Sequence, residues 1–510
     1  MSVFARAFAA AALASALGLA GPALAAKDLV VGVAANLTGL DPQNANDTLS
    51  HSAARLMMQG LFGLDKDMKL VPALAESYEA NANATEFTFK LRKGVVFHDG
   101  TPFNAQAVKI NFERLVNPDN KLSRASLLNM VKAFEVVDDA TIKLKLDNPF
   151  GALLNNLAHP GTMIHSPAAL EKFGKDVARN PVGTGPFKFV SWQADTLKVA
   201  KNDKYWKPGL PKVDGVTFRS ATENGARLAM LQTGEAHYIY PMPTEMVAVV
   251  EKNPKLALET LPSIVTWYTA MNNMKKPFDN PKVRQALNYA VDKAAFAKVV
   301  FNGYAEPMDS VVPPGLPFYA KQAPWPYDLD KARALLKEAG LEAGFATDVV
   351  GGNSTASQRA MQFLQQQLAQ VNVKLTVTPM EAGALTDKIW SVKTPEDATV
   401  KLGYAGWSAS TGDPDWQLRP LFYGKSFPPK LYNMSYYANA EADKQIEAAI
   451  ATADAGMRAT AYKKAQEIIW PEAPWIYLGV EKLLAARQKN VEGVYYLADR
   501  GLLAEDADIK

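Results

Sequence analysis

The sequence predicts an α/β fold, with helices packed on open sheets. Three observations carry this expectation: segments whose apolar residues recur at every second position, segments of helical period bounded by capping residues, and a helix–strand–turn–strand succession in the second half. Leu29 to Val33 reads as the first strand. Phe87, Phe89 and Leu91 alternate with Thr88, Lys90 and Arg92, the pattern of a strand with one buried face. Ile142, Leu144 and Leu146 alternate with Lys143 and Lys145 in the same way. Further on, Asn280 is a candidate helix cap and Pro281 suits the first helical position; Val283, Leu287 and Val291 share a face, and Gly303 follows the end. A second helix is expected from Asp328 to Gly340. A third, from Ser354, turns Met361, Leu364, Leu368 and Val371 to one side. It leads into a strand with Val373, Leu375 and Val377 on one face, then a long turn, then a strand from Thr399 to Tyr404.

Composition narrows the class. The chain has 510 residues, 48% hydrophobic and 21% charged, a globular balance long enough for about two or three domains. A formal net charge of +3 offers no basic field for nucleic acid. Arg6 is the only charge before Lys27, the run from Ala7 to Ala20 is apolar, and Ala23-Leu24-Ala25 supplies small residues. This is the pattern of a secretory signal peptide over residues 1–26, cleaved near Ala25 or Ala26. No later stretch approaches the ~20 apolar residues of a spanning helix. The chain has no cysteine, so it has no disulfides and no site for a lipoprotein anchor. A freely diffusing periplasmic protein is expected.

Familiar catalytic signatures are missing. His51, His98, His159, His165 and His237 form no H-E-x-x-H pair or other compact metal pattern, and His98 beside Asp99 reads as a turn residue. Gly406-Trp407-Ser408-Ala409-Ser410 fails as a nucleophile elbow at its last position. Gly424-Lys425-Ser426 lacks the earlier glycine of a phosphate loop, where Arg419 stands. Pro186 follows Gly183-Thr184-Gly185 and removes a backbone donor from any dinucleotide fingerprint. No catalytic residue, metal site or cofactor is expected.

Long ordered blocks carry a resemblance. Leu74-Ala75-Glu76-Ser77-Tyr78, the run from Phe87 to Ala105 through Phe97-His98-Asp99-Gly100-Thr101-Pro102-Phe103, Asn180-Pro181-Val182-Gly183-Thr184-Gly185-Pro186-Phe187, Leu231-Gln232-Thr233-Gly234-Glu235 and Pro277 to Leu287 resemble the extracellular solute-binding proteins of family 5, receptors of peptide, nickel and related ABC importers. Within it, Ala45 to Ser50, Gln59 to Lys66, Ala158-His159-Pro160, Ser166 to Lys172, Tyr404 to Gly412 and Glu505 to Asp508 are most similar to the glutathione-binding members. The resemblance implies two lobes of the cluster C type joined by a hinge: one of about 27–268 plus 488–510, with an extra subdomain at about 53–175, and one of about 269–487. It implies a monomer that captures glutathione or a similar small peptide by hinge closure and hands it to a membrane permease. A dipeptide or oligopeptide receptor is the first alternative, a nickel-complex or haem receptor the second, and a periplasmic hydrolase or holding chaperone a third of another class.

Peptide-binding relatives place an Asp three residues after the loop tryptophan, and here that position is Ser410. A neutral hydroxyl does not pair an ammonium as a carboxylate does. A γ-linked peptide, whose amine has an α-carboxylate beside it, fits the change. Such an anionic ligand needs donors in a partly desolvated cleft. Arg124 is the main candidate for a ligand carboxylate, because its planar fork binds one through two bonds; it also reads as an exposed surface arginine. Asn36 and Thr38 follow the first strand, where ligands of open sheets collect; Thr38 equally reads as a turn former. Trp407 is either a cleft wall or core, and Ser408 and Ser410 are hydroxyl donors. Asp413 takes the ligand's ammonium or caps the turn before Pro414. Tyr268, near the expected lobe crossing, is a hinge or cleft residue.

Overall fold

Alternation and capping build the local structure much as the pattern dictates. The computed structural model describes residues 27–510, so the leader expected at 1–26 and its cleavage point lie outside it. The strands in chain order are β1 (Asp28–Val33), β2 (Ala75–Ala80), β3 (Glu86–Leu91), β4 (Val131–Asp138), β5 (Thr141–Leu146), β6 (Phe187–Gln193), β7 (Thr196–Lys201), β8 (Gly215–Ser220), β9 (Tyr238–Tyr240), β10 (Leu256–Met271), β11 (Ala305–Pro307), β12 (Phe345–Gly352), β13 (Val373–Met380), β14 (Leu402–Ser408) and β15 (Trp475–Gln488). Short two-stranded pairs complete the set. On β3 the alternating Phe87, Phe89 and Leu91 are at most 2% exposed, and their polar neighbours face outward or the sheet rim.

One sheet of eleven strands runs through the molecule in the order β13-β12-β14-β10-β15-β9-β1-β8-β7-β6, with β11 added beside β15. The β1, β8 and β9 strands are parallel, as are β12, β13 and β14 where they pair. Among the described residues the two groups are joined by β10 and β15, which are antiparallel partners along most of their length. Leu256–Pro262 pairs with Gln488–Lys482 on the β1 side, and Thr266–Ala270 pairs with Val480–Trp475 on the β14 side. The register breaks between Pro262 and Thr266. It breaks again between Trp267 and Tyr268, but the first break is where the strands change neighbours, because β14 is already paired with β10 from Val265 onward.

A separate four-stranded antiparallel sheet, β2-β3-β5-β4, lies within the segment expected to form an extra subdomain. The helix α1 (Thr48–Met57) precedes it, and α2 (Ala105–Val116) packs on β4. Its core, with Phe87, Phe89, Phe112 and Leu144, is continuous with Trp416, Phe422, Tyr462 and Trp475 from the second half. The two halves of the chain are therefore in close contact.

The second half carries α3 (Pro281–Tyr289), α4 (Lys293–Phe301), α5 (Leu329–Glu338), α6 (Thr355–Ala369), α7 (Asp415–Phe422), α8 (Ala440–Ile450) and α9 (Ala455–Glu472). Asn280, Asp328 and Ser354 cap α3, α5 and α6 as expected, and Gly340 follows α5 with φ +74°. Two expectations need correction. The helix from Pro281 stops at Tyr289; Asp292 accepts from the Ala295 amide and starts α4, so Val291 is buried between two helices and Gly303 ends the second. The strand expected at Thr399–Tyr404 is Leu402–Ser408, because pairing with β10 carries it through Ser408.

Candidate ligand-binding site

The sheet's topology creates a place for a ligand. β1 and β14 both end at the β10–β15 crossing, one on each side: Val33 precedes a loop through Asn36 and Thr38, and Ser408 pairs with Val265 just before the Ser410 loop. Backbone left unpaired at strand ends is free to meet a ligand, and a crevice between two strand groups is the usual location for one. The segments that carry Arg124, between β3 and β4, and His159, after β5, close this crevice from a third direction.

Arg124 begins a 3₁₀ turn over Ala125–Leu127. Its amide donates to the Gln43 carbonyl at 3.2 Å and its Nε to the Ala45 carbonyl at 2.8 Å. Its stem lies against Gly161, where an added Cβ would come within 2.8 Å of the Arg124 Cγ. Glycine is required there by close approach. The guanidinium is half-buried, and no carboxylate among the described residues lies within ion-pair reach of it. Burial holds its pKa below the usual arginine value, opposed by the Tyr432 phenol and the Asp47 carboxylate. Asp47 itself is occupied, accepting from the Ser50 amide at 2.7 Å and the Thr38 hydroxyl at 2.5 Å.

His159 faces this arginine from the turn before Gly161 and is 2% exposed. Its ring meets His51 edge-on at 5.2 Å and Trp416 at 6.5 Å. His159 Nε2 lies 3.1 Å from the Ser410 Oγ. Burial, with His51, Arg124 and Arg55 nearby, holds the ring well below its usual 6.5. Trp407 adds a wall: its indole donates to the Trp416 carbonyl at 2.8 Å, and its ring packs 5.2 Å from Tyr432. The result is a crevice with aromatic sides and a desolvated, unpaired cation, suited to an anionic organic ligand.

Arg124, Ser410 and Trp407 thus meet around the crevice, and Thr38 approaches it through Asp47. Asn36 is exposed on the β1 loop. Ser408 is in strand, its hydroxyl buried without a partner. Two candidates change role. Asp413 is 2% exposed and its carboxylate takes two bonds from Arg458 Nη2, at 2.8 and 2.9 Å, and one from the Asp415 amide; it is a buried ion pair and turn cap, with nothing left for a ligand's ammonium. Tyr268 is 3% exposed and stacks flat on Trp475 with ring centres 3.5 Å apart, so its ring packs the core and lines no cleft, beside the second register break of β10 and β15. His51, His159, Trp416 and Tyr432 were not singled out by sequence reasoning. The Ala158-His159-Pro160-Gly161 run was a usable signal, since a proline–glycine turn after a histidine fixes where its ring points.

Two strand groups sharing one sheet, bridged by two long strands and facing each other across such a crevice, define a receptor of the extracellular solute-binding type. The family model for bacterial extracellular solute-binding proteins, family 5 middle, matches residues 69–428, and the chain belongs to this family. It is 49% identical over 493 residues to the glutathione-binding protein GsiB of Pectobacterium atrosepticum, across 96% of each chain. It is likewise 49% identical over 494 residues to the glutathione-binding protein GsiB of Escherichia coli O157:H7, again across 96% of each chain. Among solved structures, the ABC transporter-associated periplasmic binding protein DppA from Helicobacter pylori, in complex with the peptide STSA, superposes with a TM-score of 0.81 at 28% identity, covering 93% of this chain and 96% of that one.

Proposed function

We propose that this protein captures glutathione, or a similar small anionic peptide, in the crevice between its two strand groups and delivers it to the permease of an ABC importer. The observation that carries the reading is Arg124: a half-buried guanidinium whose one side-chain bond is to a backbone carbonyl and which has no carboxylate partner among the described residues. A desolvated cation without a counter-ion is costly, and a ligand carboxylate relieves that cost. Ser410 and the Trp407–Trp416–Tyr432 aromatic wall supply a hydroxyl and apolar surface for the rest of the ligand. The names of the GsiB relatives support the same ligand class. We assign about 27–268 with 488–510 to one lobe and about 269–487 to the other, with bending at the register break of β10 and β15. Closure shields the ligand's charges from water. The protein works as a periplasmic monomer, after loss of its leader, and performs no covalent chemistry.

Isothermal titration of ligand-stripped mature protein with reduced glutathione, against a plain dipeptide, tests this. One-to-one glutathione binding is expected, and Arg124→Lys should weaken it by about 30-fold or more, the loss of a bidentate charge-assisted pair. A protein that ignores glutathione but binds the dipeptide, or a lysine variant that binds as well as the parent, refutes the ligand reading.

A further inference from the structure

We infer that His159 is a positioning residue: it fixes the direction of the Ser410 hydrogen bond so that Ser410 offers its proton to an oxygen of the ligand, and in this way selects a carboxylate over an ammonium at that point. The inference rests on the crevice being the ligand site.

The argument is one of proton accounting. The Gly161 amide lies 2.9 Å from His159 Nδ1. A backbone N–H only donates, so Nδ1 is the acceptor and carries no proton. The ring is buried among Arg124, Arg55 and His51, all of which oppose a positive charge, and it stays neutral. A neutral imidazole has one N–H, which must then be on Nε2. Nε2 lies 3.1 Å from the Ser410 Oγ, so histidine donates and serine accepts. The serine hydrogen cannot point back at a donor. Ser410 has no other partner among the described residues, and its proton is left for the crevice. His51 reinforces the polarity rather than cancelling it: its own Nε2 lies 3.1 Å from the Pro42 carbonyl, a pure acceptor, so that ring is fixed as a donor facing away. Around the His159 ring that holds Ser410 stand the Arg124 guanidinium, the neutral His51 and the Arg55 guanidinium, the last paired with Asp499 at 3.3 Å, with Asp47 engaged by Thr38 and Ser50. An ammonium placed beside Ser410 meets a hydroxyl proton and the Arg124 charge; a carboxylate meets two donors.

The test compares two ligands on three proteins. Reduced glutathione is titrated beside γ-aminobutyryl-cysteinyl-glycine, the same tripeptide without its glutamyl α-carboxylate. The parent should prefer glutathione by about 30-fold, as for loss of a charge-assisted contact. In His159→Leu, where Ser410 is free to turn and accept, that preference should fall to about threefold or less. In His159→Gln, whose amide nitrogen reaches the place of Nε2, the preference should return. A merely structural histidine would weaken both ligands in equal proportion, and an unchanged ratio in the leucine variant overturns the inference. A second arm needs no ligand. Histidine-selective nitrogen labelling should show the Nε2-protonated tautomer at His159, identified by its loss in His159→Gln; an Nδ1-protonated or charged ring at neutral pH overturns the inference even if glutathione binds. Absence of glutathione binding by the parent, with the expected tautomer present, instead removes the ligand reading and leaves the serine's polarity standing.

Discussion

Closure of the crevice can be attacked from a point that touches no ligand. Gly151 follows the small sheet, and its amide donates to the Ile450 carbonyl at the end of α8, 2.7 Å away. A Cβ on Gly151 would collide with the Thr452 carbonyl, 2.7 Å from its carbon. Two such carbons rest about 3.5 Å or more apart and the carbonyl oxygen is nearer still, so Gly151→Ala must push the segments apart by more than about 1 Å. That displacement strains or breaks the Gly151–Ile450 bond and, four residues on, the bond from Asn155 to the Thr411 carbonyl at 3.1 Å. At ~1 kcal/mol for each bond, with ~1–2 kcal/mol of overpacking, the closed form loses about 2–4 kcal/mol. If the open form lacks these contacts, the whole loss appears in binding, as a rise of roughly 30- to 1,000-fold in Kd. Titration calorimetry gives the affinity, and thermal unfolding of the ligand-free protein gives the control. The expected outcome is a large loss of affinity with a nearly unchanged ligand-free melting temperature. Unchanged affinity with a lowered melting temperature would mean that the small sheet and α8 move as one body, and the closure argument would fail.

Two further outcomes follow from the buried charges. Burial, aided by the Arg124 charge, pushes the His51 imidazole from 6.5 down to about 3, so below pH 6.5 the unfolded chain takes up a proton that the folded one refuses. Stability from this group is complete above pH 6.5 and is lost on acidification toward about 3; near pH 5 the loss is ~2 kcal/mol. Denaturant midpoints between about pH 7 and 5 should fall with a slope that His51→Gln flattens, and an unflattened slope would contradict the assignment. Asp413→Ala leaves Arg458 buried without its carboxylate, which costs about 3–5 kcal/mol and lowers the melting temperature. The affinity of the remaining folded protein for its ligand should stay within a factor of about two, and a selective loss of binding would return Asp413 to the ligand.

What was legible in the sequence was what neighbouring residues decide. The β3 and β5 strands follow from alternation, and α5 from an aspartate cap and a terminal glycine. The break between α3 and α4 was missed because an apolar face continues across it while Asp292 quietly restarts the helix. The Arg458 partner of Asp413, 45 residues away, was not legible, although the turn cap was, and neither was the contact of His159 with Ser410, 251 residues away. Arg124 is a candidate in the sequence because the chemistry of a carboxylate ligand asks for that side chain; its lack of a counter-ion among the described residues is a fact of three dimensions. The true crossing of the strand groups was hidden for the same reason, since β10 and β15 are brought together only by the finished sheet.

That pairing also bears on how the chain comes to be folded. β15 is inserted between β10 and β9, so the β1 group, made first, acquires its neighbouring strand only when residues 475–488 arrive. The last turns of chain then fasten the same region: Asp499 bonds to Arg55, and Glu505 receives the Tyr205 hydroxyl and the Lys207 ammonium, each at 2.6 Å. Contacts this distant in sequence are slow to form, because loop-closure entropy is lost before they reward it. A nascent or truncated chain ending before Trp475 has an open sheet edge at β9 and no lid for its core, and cannot settle into half of the native molecule. The part synthesised first is completed last, which keeps the whole polypeptide loose until its final strand is available.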